Sequence, residues 1–120
     1  MTVKLSAGIT IVATSLGVLI ASSAGAEITL ADYLKQRDNP SLKPYLYGVG
    51  KGLFWGNVAV QASSGKPYRF FCLPDNFTMN GNNYIDLLNT AVNNPKSQYE
   101  MDTPVELILA NELQRTFPCK

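Results

Sequence analysis

From Thr29 onward apolar residues recur at spacings of three and four, which predicts a run of helices separated by polar, proline-marked breaks. Leu30, Tyr33 and Leu34 give a short first helix one apolar face, with Thr29 placed to cap it and Asp32 three residues on. Arg37-Asp38-Asn39-Pro40 ends it. Ser41 then stands before a longer second segment in which Leu42, Tyr45, Leu46, Val49 and Leu53 share a face. The same segment holds Gly48, Gly50, Gly52 and Gly56, each costing about 0.8 to 1 kcal/mol relative to alanine inside a helix. Gly48, Gly52 and Gly56 repeat every four residues and would make a smooth face for a neighbouring helix. The pattern leaves two outcomes open: a helix continued by Asn57 to Ala62, or one that frays near Gly52.

Ser63-Ser64-Gly65-Lys66-Pro67 reads as a loop, and Tyr68-Arg69-Phe70-Phe71 as extended chain that delivers Cys72 to the core, since no second alternating run exists to pair with it. Pro74 and Asp75 form a turn, and Thr78 is a candidate cap for a third helix. Its buried side is Tyr84, Ile85, Leu87, Leu88, Ala91 and Val92, and it stops before Pro95. Thr103-Pro104-Val105-Glu106 spells a capping box with proline at the first helical position, opening a last helix whose stripe is Val105, Ile108, Leu109, Leu113 and Phe117. The expected fold is all-α, a small domain of four to five helices.

Residues 1–26 stand apart from this domain. A short basic start, an uncharged run from Leu5 to Ala26 and the small-x-small triplet Ala24-Gly25-Ala26 predict a secretory signal cleaved before Glu27. The run also approaches the length of a membrane anchor, but its Ser, Ala and Gly content and the cleavage triplet favour removal. The domain is then 27–120, without a membrane segment. Of the ten Lys and Arg only Lys4 lies in the leader, so nine basic residues face nine acidic ones. The basic residues are scattered, which gives no footprint for nucleic acid.

Export changes the meaning of the two cysteines. In an oxidising compartment Cys72 and Cys119 are most simply a disulfide, and they lack the C-x-x-C spacing of a redox pair. Closing a loop of about 48 residues stabilises the fold by roughly 4 kcal/mol in the chain-entropy model.

Candidate chemistry is sparse. The chain has no histidine, which removes the commonest general base and metal ligand. Neither a metal nor a cofactor is expected, and Asp102 and Glu106 are accounted for by the dipole at the start of the last helix. An enzyme is therefore the least supported class.

Several short elements together resemble the Rap1a/Tai family: Tyr45 to Leu53 (YLYGVGKGL), Cys72 to Thr78 (CLPDNFT), the helix stop at Pro95, and Leu113 to Cys119 closing in Phe-Pro-Cys. The chain departs from that pattern at Gly81-Asn82-Asn83 and at Glu112. The resemblance implies a small exported helical protein, and for some members a periplasmic immunity protein that binds and inhibits a type VI secreted peptidoglycan amidase. Another function that fits a small, disulfide-stapled periplasmic helical domain is an acid-stress chaperone of the HdeA type, or another small binding protein. A homodimer stays open. The expected contact region is the link from Asn93 to Asp102, with Lys96, Gln98, Tyr99 and Met101 as candidate partner-binding residues, because aromatic and methionine side chains are enriched in interface cores. The competing reading folds Tyr99 back over the helix ends as a lid.

Overall fold

The computed structural model describes residues 27–66 and 68–120. The predicted signal at 1–26 lies outside them. Four helices make up the domain: α1 (Leu30–Lys35), α2 (Leu42–Ser64), α3 (Gly81–Asn93) and α4 (Val105–Thr116). Among the described residues there is no strand, only an isolated antiparallel bridge between Thr29 and Pro104. Cys72 and Cys119 are bonded. The all-α class and the disulfide are thus as expected.

The core is the meeting of α2, α3 and α4. Leu42 and Leu46 from α2, Tyr84, Leu88 and Ala91 from α3, and Val105, Ile108, Leu109 and Leu113 from α4 are buried together, with Leu30 and Tyr33 of α1 closing one end. Each aliphatic side chain so buried contributes about 1.5 to 3 kcal/mol. That burial holds α2 as one unbroken helix of 23 residues despite its four glycines.

The glycines divide differently from the sequence expectation. Leu46, Gly50 and Asn57 share the buried side of α2, and the Tyr84 ring of α3 lies directly on Gly50: a methyl group built there would stand 2.0 Å from Tyr84 Cζ. Gly48, Gly52 and Gly56 do not face a neighbouring helix, since a methyl group at any of them meets nothing within 4 Å. The phase of the helix explains this. At about 100° per residue Gly50 lies about 20° from Asn57 and about 40° from Leu46, whereas residues 48, 52 and 56 lie about 100° or more from Asn57. Ser63 and Ser64, expected in a loop, belong to the last turn of α2, and Gly65 ends the helix with φ +62°, a left-handed conformation suited to glycine.

Two helix starts also differ. α3 begins at Gly81, not after Thr78. Asn80 caps it, accepting from the Asn82 and Asn83 amides at 2.9 and 3.1 Å, while the Asn83 side chain accepts from the Asn80 amide at 2.8 Å. Met79 before the cap and Tyr84 after the first turn are both buried, the arrangement of a hydrophobic staple. Placing Met79 in the core requires extended chain there, and that delays the helix past Thr78.

At α4 the predicted capping box does not form. The extended cap is Pro104, which has no amide for Glu106 to reach, and the Thr103 amide is bound to the Glu100 carbonyl at 3.0 Å. The Val105 amide donates instead to the Ile28 carbonyl at 2.9 Å, and the Leu30 and Ala31 amides of α1 donate to the Thr103 and Met101 carbonyls, each at 2.9 Å. The two helix starts thus satisfy one another through backbone, and Glu106 is released for a different contact.

Candidate functional site

The segment between α2 and α3 is held from three sides. Asn57, buried on α2, accepts from the Phe70 amide at 2.6 Å and donates to the Phe71 carbonyl at 2.8 Å. The Cys72 amide donates to the Phe117 carbonyl at 2.8 Å, and the disulfide closes two residues further on, at Cys119. Extended backbone points successive side chains to opposite faces. Phe71 therefore enters the core at 4% exposure, and Phe70 stands in solvent at 58%.

Beside Phe70 lies an apolar groove of about 290 Å³ between α2 and α4. Leu53 and Phe71 line it together with Ala110, Asn111 and Gln114, and Phe70 and Leu107 form part of the same lining. Leu107 is 52% exposed, so two large apolar side chains border this groove without cover. The polar groups along it are the uncharged amides of Asn111 and Gln114. It can receive an apolar side chain and offer hydrogen bonds at its edge.

The link from Asn93 to Asp102 is arranged differently from an outward tip. Tyr99 is turned inward against the core, and its hydroxyl donates to Glu112 Oε1 at 3.1 Å. Burial and the adjoining Glu112 carboxylate raise the Tyr99 hydroxyl above its ordinary value. Glu112 is 1% exposed and also takes Arg115, through Nε at 3.0 Å and through Nη2. A buried carboxylate needs such partners, and Tyr99 is one of them. The four predicted contact residues are therefore not gathered at a tip: Tyr99 is a lid, Lys96, Gln98 and Met101 remain exposed, and the Met101 carbonyl is used by α1.

A second carboxylate on α4 repeats the motif. Tyr45 donates to Glu106 Oε1, and its hydroxyl is pushed up to about 12, first by burial and then by that carboxylate. The other oxygen, Glu106 Oε2, is buried with no hydrogen-bond partner. Both pairs tie a loop or helix onto α4. Among the described residues no group of three or more His, Cys, Asp or Glu could hold a metal ion, and no helix is long and apolar enough to cross a membrane.

Sequence reasoning missed Phe70, Leu107 and Trp55. A signal for the first was present: adjacent phenylalanines in extended chain cannot both be buried on one side. Leu107 falls between the buried positions of α4, which also marked it as outward. Compared with family models, curated proteins and solved structures, the chain matches none. Likeness to the Rap1a/Tai family rests on the short motifs alone.

Proposed function

We propose that the chain is a periplasmic immunity protein, an exported helical domain that binds a type VI secreted peptidoglycan amidase and blocks its cleft. The observation that carries the binding reading is the open groove bordered by Phe70 and Leu107, each more than half exposed yet held on rigid elements by Asn57, the disulfide and α4. Small water-soluble domains gain nothing in stability from displaying such side chains, whereas interface cores are built from them. A disulfide fits the oxidising compartment that this role requires. The motif resemblance supplies the partner class, and inhibition by coverage needs no catalytic group in this chain.

The test is protection. A type VI secreted peptidoglycan amidase is directed to the periplasm with and without the chain, and lysis is followed. Lysis is expected to stop only when the chain is present. With purified proteins, Leu107→Arg should raise the inhibition constant by about 30-fold, the loss of one interface hot spot of about 2 kcal/mol, at unchanged melting temperature. Undiminished cell-wall hydrolysis at saturating wild-type chain would refute the reading.

A further inference from the structure

The 36 residues from Asn39 to Pro74 contain no Asp or Glu, and all nine acidic residues of the chain lie outside them. Within that stretch stand Lys43, Lys51, Lys66 and Arg69. α2 and the segment after it are thus a surface of one sign on a chain whose formal charge is only +1. Opposite the buried side of α2, Tyr47, Lys51, Trp55, Val58 and Ala62 recur at intervals of four, four, three and four, the register of a single helix stripe. Trp55 is 60% exposed, Tyr47 and Val58 are exposed as well, and none of them packs on the core. The stripe runs for about 22 Å along the helix.

Its cations are set in place. Lys51 Nζ lies 5.2 Å from the Phe54 ring centre and 6.0 Å from that of Trp55, and Lys66 Nζ lies 5.8 Å from the Tyr68 ring. Val58, Ala62 and Lys66 line one hollow at the C-terminal end of the stripe. Neither lysine has a carboxylate partner among the described residues, where the ion pair is Arg115 with Glu112. Beside the aromatic residues the open shelf at Gly48, Gly52 and Gly56 would let another backbone come close.

We infer that this outer stripe of α2 docks an acidic amphipathic helix of another protein. Apolar side chains of that helix would cover Tyr47, Trp55 and Val58, and its flanking carboxylates would meet Lys51 and Lys66. The regular three-and-four spacing fits a helix. A second copy of the chain would bring its own lysines to the stripe, with no acid in the matching segment to answer them. A lipid surface would answer the charges but has no use for the helical register. The inference rests on the reading of the chain as a protein-binding domain and not on the amidase.

Trp55 is the sole tryptophan of the chain, so its fluorescence reports the proposed contact directly. The probes are two helical peptides of about 20 residues, about 30 Å long, with leucine along one face and either glutamate or lysine flanking it. The glutamate peptide should shift Trp55 emission to the blue on titration, and the lysine peptide should not. Raising salt from about 0.05 to about 0.5 M should weaken binding. Lys51→Glu and Val58→Glu each keep the reporter and should weaken the glutamate peptide by about tenfold or more. Circular dichroism checks that both variants keep the wild-type fold. Equal binding of the two peptides, no emission shift, or insensitivity to both variants would overturn the proposal. So would a dimer by light scattering that Val58→Glu dissolves, or an emission shift with phosphatidylglycerol vesicles and none with peptide. If Val58→Glu still protects against the amidase while losing the peptide, the stripe is a second surface and the inhibitory reading is untouched. If the amidase is not inhibited but the peptide binds as described, the inhibitory reading fails and the stripe stands.

Discussion

Gly50 and Gly52 sit two residues apart in one helix, and replacing each by alanine should have opposite effects. Both gain about 0.8 to 1 kcal/mol of helix propensity. At Gly52 the new methyl group meets nothing within 4 Å, so the gain is kept and the melting temperature should rise by about 4 to 8 °C for a domain of this size. At Gly50 the methyl group would stand 2.0, 2.3 and 2.4 Å from Cζ, Cε2 and Cε1 of Tyr84, where carbon atoms rest at about 3.5 to 4 Å. The ring has to withdraw by more than 1 Å, yet Tyr84 is 2% exposed, buried in the core at the start of α3. Overpacking of this kind costs about 1 to 3 kcal/mol, occasionally more. A ring forced back that far puts the cost in the upper part of that range, about 2 to 3 kcal/mol, so after the propensity gain the net loss should be about 1 to 2 kcal/mol, a fall of about 4 to 16 °C. Thermal and urea unfolding followed by circular dichroism measure both variants, and Gly48→Ala and Gly56→Ala serve as further open-site controls. A double-mutant cycle with Tyr84→Leu should show coupling of about 1 kcal/mol or more between positions 50 and 84. Equal stabilisation by Gly50→Ala and Gly52→Ala would refute the packing of Tyr84 on this helix.

Three further outcomes are expected. Cys119→Ala should lower unfolding stability by about 4 kcal/mol in urea, and thiol titration of the native wild-type protein should find no free cysteine. Asn57→Ala leaves the buried Phe71 carbonyl without its donor and should cost about 1 to 3 kcal/mol, with faster hydrogen exchange at the Phe70 amide. Burial raises the hydroxyls of Tyr33, Tyr45, Tyr84 and Tyr99 above the ordinary 10.0, Tyr45 to about 12. The fold therefore holds these protons more tightly than the unfolded chain. Their stabilisation is complete below pH 10 and is lost as pH rises toward 12, so melting temperatures measured across that window should fall, and less steeply in Tyr45→Phe.

Helix number, the disulfide and most of the core could be read from residue order alone. Periodicity is a local property: Leu42, Leu46, Leu88, Leu109 and Leu113 declare a buried face before any neighbour is placed. Two cysteines leave one pairing within the chain. What the tertiary structure decided is the use of positions whose local signals were satisfied in more than one way. Gly48, Gly52 and Gly56 formed a regular pattern, but only the docking angle of α3 made Gly50 the close contact. The Thr103 capping box was complete in sequence, and it lost to backbone from Ile28, a donor–acceptor match no local pattern contains. The polar link left Tyr99 open between an outward tip and a lid, and Glu112, buried on another element, decided for the lid by supplying its acceptor. Burial of a polar group is settled by partners distant in sequence, whereas the burial of an apolar face is written into its own repeat.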